Sequence, residues 1–143
     1  MEELFGPTLM SKHGPVPTAS LSNARYVLIY FSAHWCPPCR AFTPKLALFY
    51  ESVNSAHKQV EVIFSSADRS PDQFQEYFET MPWLAIPFPD QAHRNGVAQR
   101  YGVSGIPMLV LIDRQGNAKR TQCREDVMQK GPLCLADWDS ALR

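Results

Sequence analysis

The chain has 143 residues, 45% of them hydrophobic, which is enough for one packed domain and too apolar for a disordered segment. Its 14 basic and 14 acidic residues cancel to a formal net charge of zero. That balance lacks the positive field that gathers phosphates, which argues against nucleic acid as a partner, and no stretch approaches the roughly 18 apolar residues of a membrane span.

Met1 to Pro17 mixes acids, a lysine, a histidine and three prolines, with no basic stretch leading into an apolar run. A secretory leader is therefore not expected, and a reducing, cytoplasmic setting is. In such a setting a close cysteine pair reads as a redox or metal site before it reads as a structural staple.

Thr8 to Ser11 and Val16 to Thr18 flank the turn-rich Lys12-His13-Gly14-Pro15, which predicts a short hairpin within an N-terminal extension over residues 1–24. Arg25 to Ala33 holds the unbroken apolar run Tyr-Val-Leu-Ile-Tyr-Phe, suited to a central strand covered on both faces. Cys36-Pro37-Pro38-Cys39 follows at once, and Phe42, Leu46, Phe49, Tyr50 and Val53 then recur at helical spacing. Prolines fit a first helical turn, whose amides lack intrahelical acceptors, and Pro44 predicts a kink rather than an end. Val60 to Ser65 is the next buried strand.

Ser70-Pro71-Asp72-Gln73 opens a second helix, with serine as cap, proline at the first position and glutamine reaching back to complete a capping box. Phe74, Tyr77, Phe78 and Met81 form its buried stripe. Trp83 to Pro89 reads as irregular and Ala92 to Tyr101 as a short helix. Met108 to Asp113 and Ala118 to Thr121 read as strands joined by a turn at Gln115-Gly116-Asn117. The tail over 123–143 is expected to be helical from Glu125 to Leu142, with a break at Gly131-Pro132. This order predicts a single α/β domain over 1–143, a sheet with helices on both faces. The first two core strands pair in parallel because a long helical crossover joins them.

Cys36 lies where a buried strand gives way to a helix. The first amides of that helix have no internal partners and carry partial positive charge, which favours a thiolate, the species that attacks a disulfide. Pro37 and Pro38 have no N–H, so Cys39, Arg40 and the Arg40 charge must supply that stabilisation. Three residues apart on a helix, Cys36 and Cys39 share a face and fall within the roughly 4.4–6.8 Å Cα window of a disulfide. Cys36 is then the attacking thiol and Cys39, the deeper one, the resolving thiol. Two alternatives remain at this point: half of a zinc site, for which neither Cys123 and Cys134 nor His57 and His93 show matching spacing, and two unconnected buried cysteines.

Gly105-Ile106-Pro107 opens a core strand, where proline suits either a cis or a trans bond. In cis it would set the Ile106 backbone beside the cysteine pair to receive an extended substrate. Trp35 offers an apolar landing surface, or is a half-buried packing aromatic. His34 is either a tuning group or an exposed bystander. Cys123 and Cys134 read as free thiols before they read as a regulatory disulfide, and Trp83 and Trp138 read as structural.

Trp35 to Arg40 together with Gly105 to Pro107 resembles the thioredoxin superfamily. Tyr30 to Ala33, Phe42-Thr43-Pro44, Met81 to Phe88 and Tyr101 to Pro107 are similar to its tryparedoxin and nucleoredoxin branch, over residues 8–122 in all. The resemblance implies a thioredoxin-like three-layer α/β/α fold with a central mixed β-sheet. It implies a Cys36/Cys39 dithiol–disulfide cycle with Pro107 in cis beside the pair, and Trp35, Arg40, Ile106 and Pro107 are the substrate contacts expected from their positions. No metal and no cofactor beyond the Cys36–Cys39 disulfide are implied. The partners implied are disulfide-containing proteins, a peroxiredoxin among them, and a dithiol reductant such as trypanothione, the glutathione system or a reductase, met by a monomer.

Two departures stand out. Thioredoxins carry a buried acid on the strand before the active site, and Tyr30 holds that place here, so water or Asp68 is needed to take the Cys39 proton. Tryparedoxins show Trp-Asp-Glu after the second core strand, and Ala67-Asp68-Arg69 stands here. An arginine at that position repels a polyamine-bearing cosubstrate. The ending, with Gly131, Cys134 and Trp138, is more similar to nucleoredoxin-like proteins. A reductant of protein disulfides is the first expectation and a redox-sensing binding module the second. A disulfide isomerase or oxidase is argued against by the missing leader and retention tail.

Overall fold

The computed structural model describes residues 1–143. Its central strand, β3 (Tyr26–Ser32), is buried at every position, as an unbroken apolar run requires. Alternation along that strand sorts the core into two layers. Tyr26, Leu28 and Tyr30 face a cluster with Phe42, Leu46, Phe49 and Tyr50, all on α2 (Pro37–Val53). Phe74, Tyr77 and Phe78 of α3 (Pro71–Phe78) close the same layer. Val27, Ile29 and Phe31 face the opposite cluster with Phe5, Leu21 and Val97.

Around β3 lie β1 (Thr8–Ser11), β2 (Gly14–Pro17), β4 (Val60–Ser66), β5 (Leu84–Ala85), β6 (Met108–Ile112) and β7 (Ala118–Arg120). The seven strands run in the order β2-β1-β5-β4-β3-β6-β7. β3 pairs parallel with β4 and antiparallel with β6, so the sheet is mixed. The hairpin forms between β1 and β2, and β1 also pairs with β5, so it extends the same sheet. On the Phe5 side sit α1 (Glu2–Phe5), α4 (Gln91–Arg100) and a 3-10 turn over Thr18–Asn23. The other side carries α2, α3 and the tail, with α5 (Cys123–Lys130) and α6 (Leu135–Leu142).

Local reality departs from the sequence expectations at several places. α1 and the 3-10 turn carry no amphipathic period long enough to read. β5 is two residues inside a segment that reads as irregular. Gly14 belongs to β2 rather than the turn, with φ +112 and its carbonyl accepting from Ser11 Oγ at 2.7 Å. α2, by contrast, continues through Pro44 to Val53 as its apolar period predicts. α3 ends at Phe78, so Met81 is fully buried from the turn beyond it. Ser70 Oγ caps α3 by accepting from Gln73 N–H at 3.2 Å, but Gln73 Oε1 accepts from Arg69 N–H instead of the Ser70 amide. The tail helix starts two residues earlier than expected, at Cys123, and breaks at Gly131, whose φ of +55 is a glycine conformation.

Candidate active site

Cys36 sits at the cap position of α2 with extended backbone (φ −97, ψ 110), and Pro37 and Pro38 fill the first helical positions. Its N–H donates to Ala33 O at 3.2 Å, and its carbonyl accepts from Arg40 N–H at 3.1 Å. The strand end and the helix start thus fix its backbone from both sides. Cys39, one turn on, has no exposed surface, while Cys36 keeps 5%. Both are free thiols, clustered with Ala33, and Ile106 packs against them.

The Ile106–Pro107 bond is cis, and Pro107 leads into β6. Cys36 Sγ lies 3.9 Å from the Ile106 carbonyl oxygen. Four of the sequence candidates, Cys36, Cys39, Ile106 and Pro107, therefore meet where β3, α2 and β6 converge.

Burial pushes the Cys39 thiol up to about 11, and the neighbouring Cys36 thiol adds to the rise, while Ser32 and the Ala33 backbone oppose it. Asp68, a candidate proton acceptor from the sequence, accepts from His34 N–H at 2.6 Å and from Ser66 Oγ at 2.7 Å. A polar side chain beside Cys39 is Ser32. From it runs a chain of buried hydroxyls: Ser32 to Tyr77 at 2.6 Å, Tyr77 to Thr43 at 2.6 Å and Thr43 to Tyr30 at 2.7 Å. Thr43 Oγ1 also donates to the Cys39 carbonyl at 3.0 Å. Burial raises the Tyr77 and Tyr30 phenols, so both stay protonated and act as hydrogen-bonding groups rather than bases.

Sequence reasoning missed Ser32, Thr43 and Tyr77. Strand parity is a signal for the first: Ser32 is two residues past Tyr30 and must share its face. The Tyr77–Thr43 contact depends on how α3 packs on α2, which no local pattern announces.

Trp35 is 41% exposed, and its Nε1 donates to Ala67 O at 2.9 Å. The Arg69 guanidinium lies 4.9 Å over its ring. Arg40 reaches back to donate from Nη1 to His34 O at 2.6 Å. The His34 ring stacks on Tyr77 with centroids 5.2 Å apart. His34, Arg40, Thr43, Leu48 and Tyr77 line a groove of about 600 Å³ along α2.

Cys123 and Cys134 lie in the main core with Trp138, well away from this rim, and burial raises both thiols. No three metal-ligating side chains converge anywhere, and no helix is long and apolar enough to cross a membrane.

Against known proteins, a thioredoxin-like family model matches residues 23–118. Nucleoredoxin of Bos taurus is 44% identical over 127 residues, which cover 89% of this chain and 29% of the relative. The chain thus spans about a third of the length of the nucleoredoxins it matches. The structure of native tryparedoxin I from Crithidia fasciculata superposes with a TM-score of 0.82 at 36% identity, covering 88% of this chain and 87% of that one. A tryparedoxin II complexed with glutathionylspermidine superposes with a TM-score of 0.81 at 35% identity, covering 90% and 88%. A cysteine pair at a strand-to-helix junction, a cis proline opposite it and these matches agree: the chain belongs to the thioredoxin-like family, on its nucleoredoxin and tryparedoxin branch.

Proposed function

We propose that this chain is a thiol–disulfide oxidoreductase that reduces protein disulfides through a Cys36/Cys39 cycle. The observation that supports this most is the placement of the pair, with Cys36 at the cap of α2 keeping 5% exposure beside the cis Ile106–Pro107 bond and Cys39 fully buried one turn away. Cys36, as thiolate, bonds one sulfur of the substrate disulfide, and the other leaves as a thiolate that takes up a proton. Cys39 then loses its proton and attacks Cys36 Sγ, which frees the second substrate thiol and closes the Cys36–Cys39 disulfide. The redox group is the cysteine pair itself.

In this reading Trp35 is the apolar landing surface, Arg40 flanks it, and the Ile106 backbone beside Pro107 receives the extended substrate chain. A thiol donor, such as the glutathione system or a reductase, returns the pair to the reduced state. A peroxiredoxin is one client of suitable chemistry. The 44% identity to nucleoredoxin supports a second reading, a redox-sensing binding module with little turnover.

Insulin reduction with dithiothreitol as donor separates the two. The enzyme reading expects turnover in the parent, loss in Cys36→Ser and a trapped mixed disulfide in Cys39→Ser. A parent without turnover supports the binding module. Parent-like turnover in both variants overturns the cysteine assignment.

A further inference from the structure

Two arginines flank the residues that lead into the dithiol. Arg69 lies on the exposed ring of Trp35, the residue next to Cys36, and Arg40 arches over the first turn of α2 to the His34 carbonyl. Neither guanidinium meets a carboxylate. The ion pairs of the chain join Arg25 and Arg143 to Asp139, Lys58 to Glu61, His93 to Asp90, Arg120 to Asp126 and Lys130 to Asp137. Asp68, next to Arg69, is buried and accepts from His34 N–H and Ser66 Oγ, and it forms no ion pair with Arg69. Glu51 is the one acid lining the groove that Arg40 borders. A chain of zero net charge has therefore collected unpaired positive charge at its reactive rim.

We infer that this rim selects small disulfides and thiols bearing carboxylates near their sulfur over those bearing ammonium groups. The inference rests on the Cys36/Cys39 reduction proposed above and adds its substrate charge. An incoming carboxylate passes the Arg69 and Arg40 guanidinium groups as its sulfur reaches Cys36, and guanidinium is well suited to carboxylate. In the reaction Cys36 takes one sulfur, the first thiolate leaves and is protonated, and Cys39 releases the second. The ligand gains two electrons, and the cysteine pair loses two and closes as a disulfide.

Three disulfides of similar size test it: dithiodipropionate (anionic), cystamine (cationic) and hydroxyethyl disulfide (neutral). Pre-reduced, desalted protein is mixed with each, and single-turnover oxidation is followed by acid quench, alkylation and mass spectrometry. Each rate is divided by that of a neutral thiol in solution with the same disulfide, which removes intrinsic reactivity. A unit charge about 6 Å away in water changes such a rate about threefold. The parent is expected to prefer the anion by about threefold or more, and added salt should erase the preference. Arg69→Glu should lower the anion-to-cation ratio at least tenfold. Lys12→Glu, the same charge change on the β1–β2 turn, should leave the ratio in place. A parent with no preference, or a Lys12→Glu ratio that falls as far as that of Arg69→Glu, overturns the inference. A parent that reduces none of the three, the neutral disulfide included, overturns the proposed function and this selectivity with it. Reduction of the neutral disulfide without charge preference overturns the selectivity alone.

Discussion

Ser32 Oγ and Tyr77 Oη stand 2.6 Å apart, and that contact ties the surroundings of Cys39 to a buried line of hydroxyls ending at Tyr30. The strand before the cysteines carries no acid, so Ser32 is the side chain that holds the Cys39 thiol down against burial. Tyr77 fixes Ser32 from α3, and Thr43 fixes Tyr77 from α2. The proton environment of the resolving thiol is thus set by three elements at once.

Removing the Ser32 hydroxyl leaves burial and Cys36 unopposed from that side. Ser32→Ala is expected to move the Cys39 thiol further upward and to slow closure of the Cys36–Cys39 disulfide roughly threefold at neutral pH, because the thiolate fraction falls in proportion. Rapid-quench measurement of mixed-disulfide decay reads that step directly. Closure at the parental rate would show that Ser32 has no part in it.

The raised Cys39 thiol also predicts its reactivity when it stands alone. With a value of about 11, roughly one part in ten thousand is thiolate at pH 7. In Cys36→Ser the contribution of Cys36 is gone and burial, the larger cause, remains, so iodoacetamide should label Cys39 slowly at pH 7 and faster as pH rises. The folded thiol holds its proton more tightly than an unfolded one near 9, so its contribution to stability is full below about pH 9 and is lost as pH rises through about 11. Labelling at the rate of a free peptide thiol at pH 7, followed by mass spectrometry, would contradict the burial that sets this behaviour.

The cysteine pair and its strand–helix frame were legible because they are local: an apolar run, a proline-rich first turn and a three-residue spacing all sit within residues 26–53. The parallel β3–β4 pair was legible for the same reason, through its long crossover. What stayed hidden needs contacts between distant segments. β5 has two residues and exists because β1 and β4 flank it. Asp68 accepts from the backbone of His34, a contact between segments 34 residues apart that nothing local announces. Tyr77 read as plain core, and its hydroxyl acquires a role only where α3 meets α2.

Trp35 makes few internal commitments beyond its bond to Ala67 and the overlying Arg69. Trp35→Ala is expected to keep the fold and lower kcat/KM for insulin about tenfold, the loss of one exposed aromatic anchor at a contact surface. The loss should appear mainly in KM, since the cysteines stay in place. An unchanged kcat/KM would remove Trp35 from the substrate face.

The C-terminal tail is fastened by a carboxylate rather than by apolar contacts alone. Asp126 accepts from Arg120 Nη2 at 2.7 Å and from the buried Trp138 Nε1 at 2.9 Å. Arg120, and to a lesser degree Trp138, hold its carboxyl below the usual carboxylate range. Asp126→Ala leaves the indole N–H buried without a partner and strands the half-exposed guanidinium, a cost of about 2 kcal/mol. For a chain of this size that lowers Tm by about 6 °C at pH 7. A carboxyl lowered by folding stabilises above its unfolded value near 4, and the benefit fades as pH falls through the folded value. The Tm gap between parent and Asp126→Ala should therefore be widest above pH 5 and narrow steadily toward pH 2. A gap that stays constant across that range in thermal melts would mean that the contact acts through packing and not through charge.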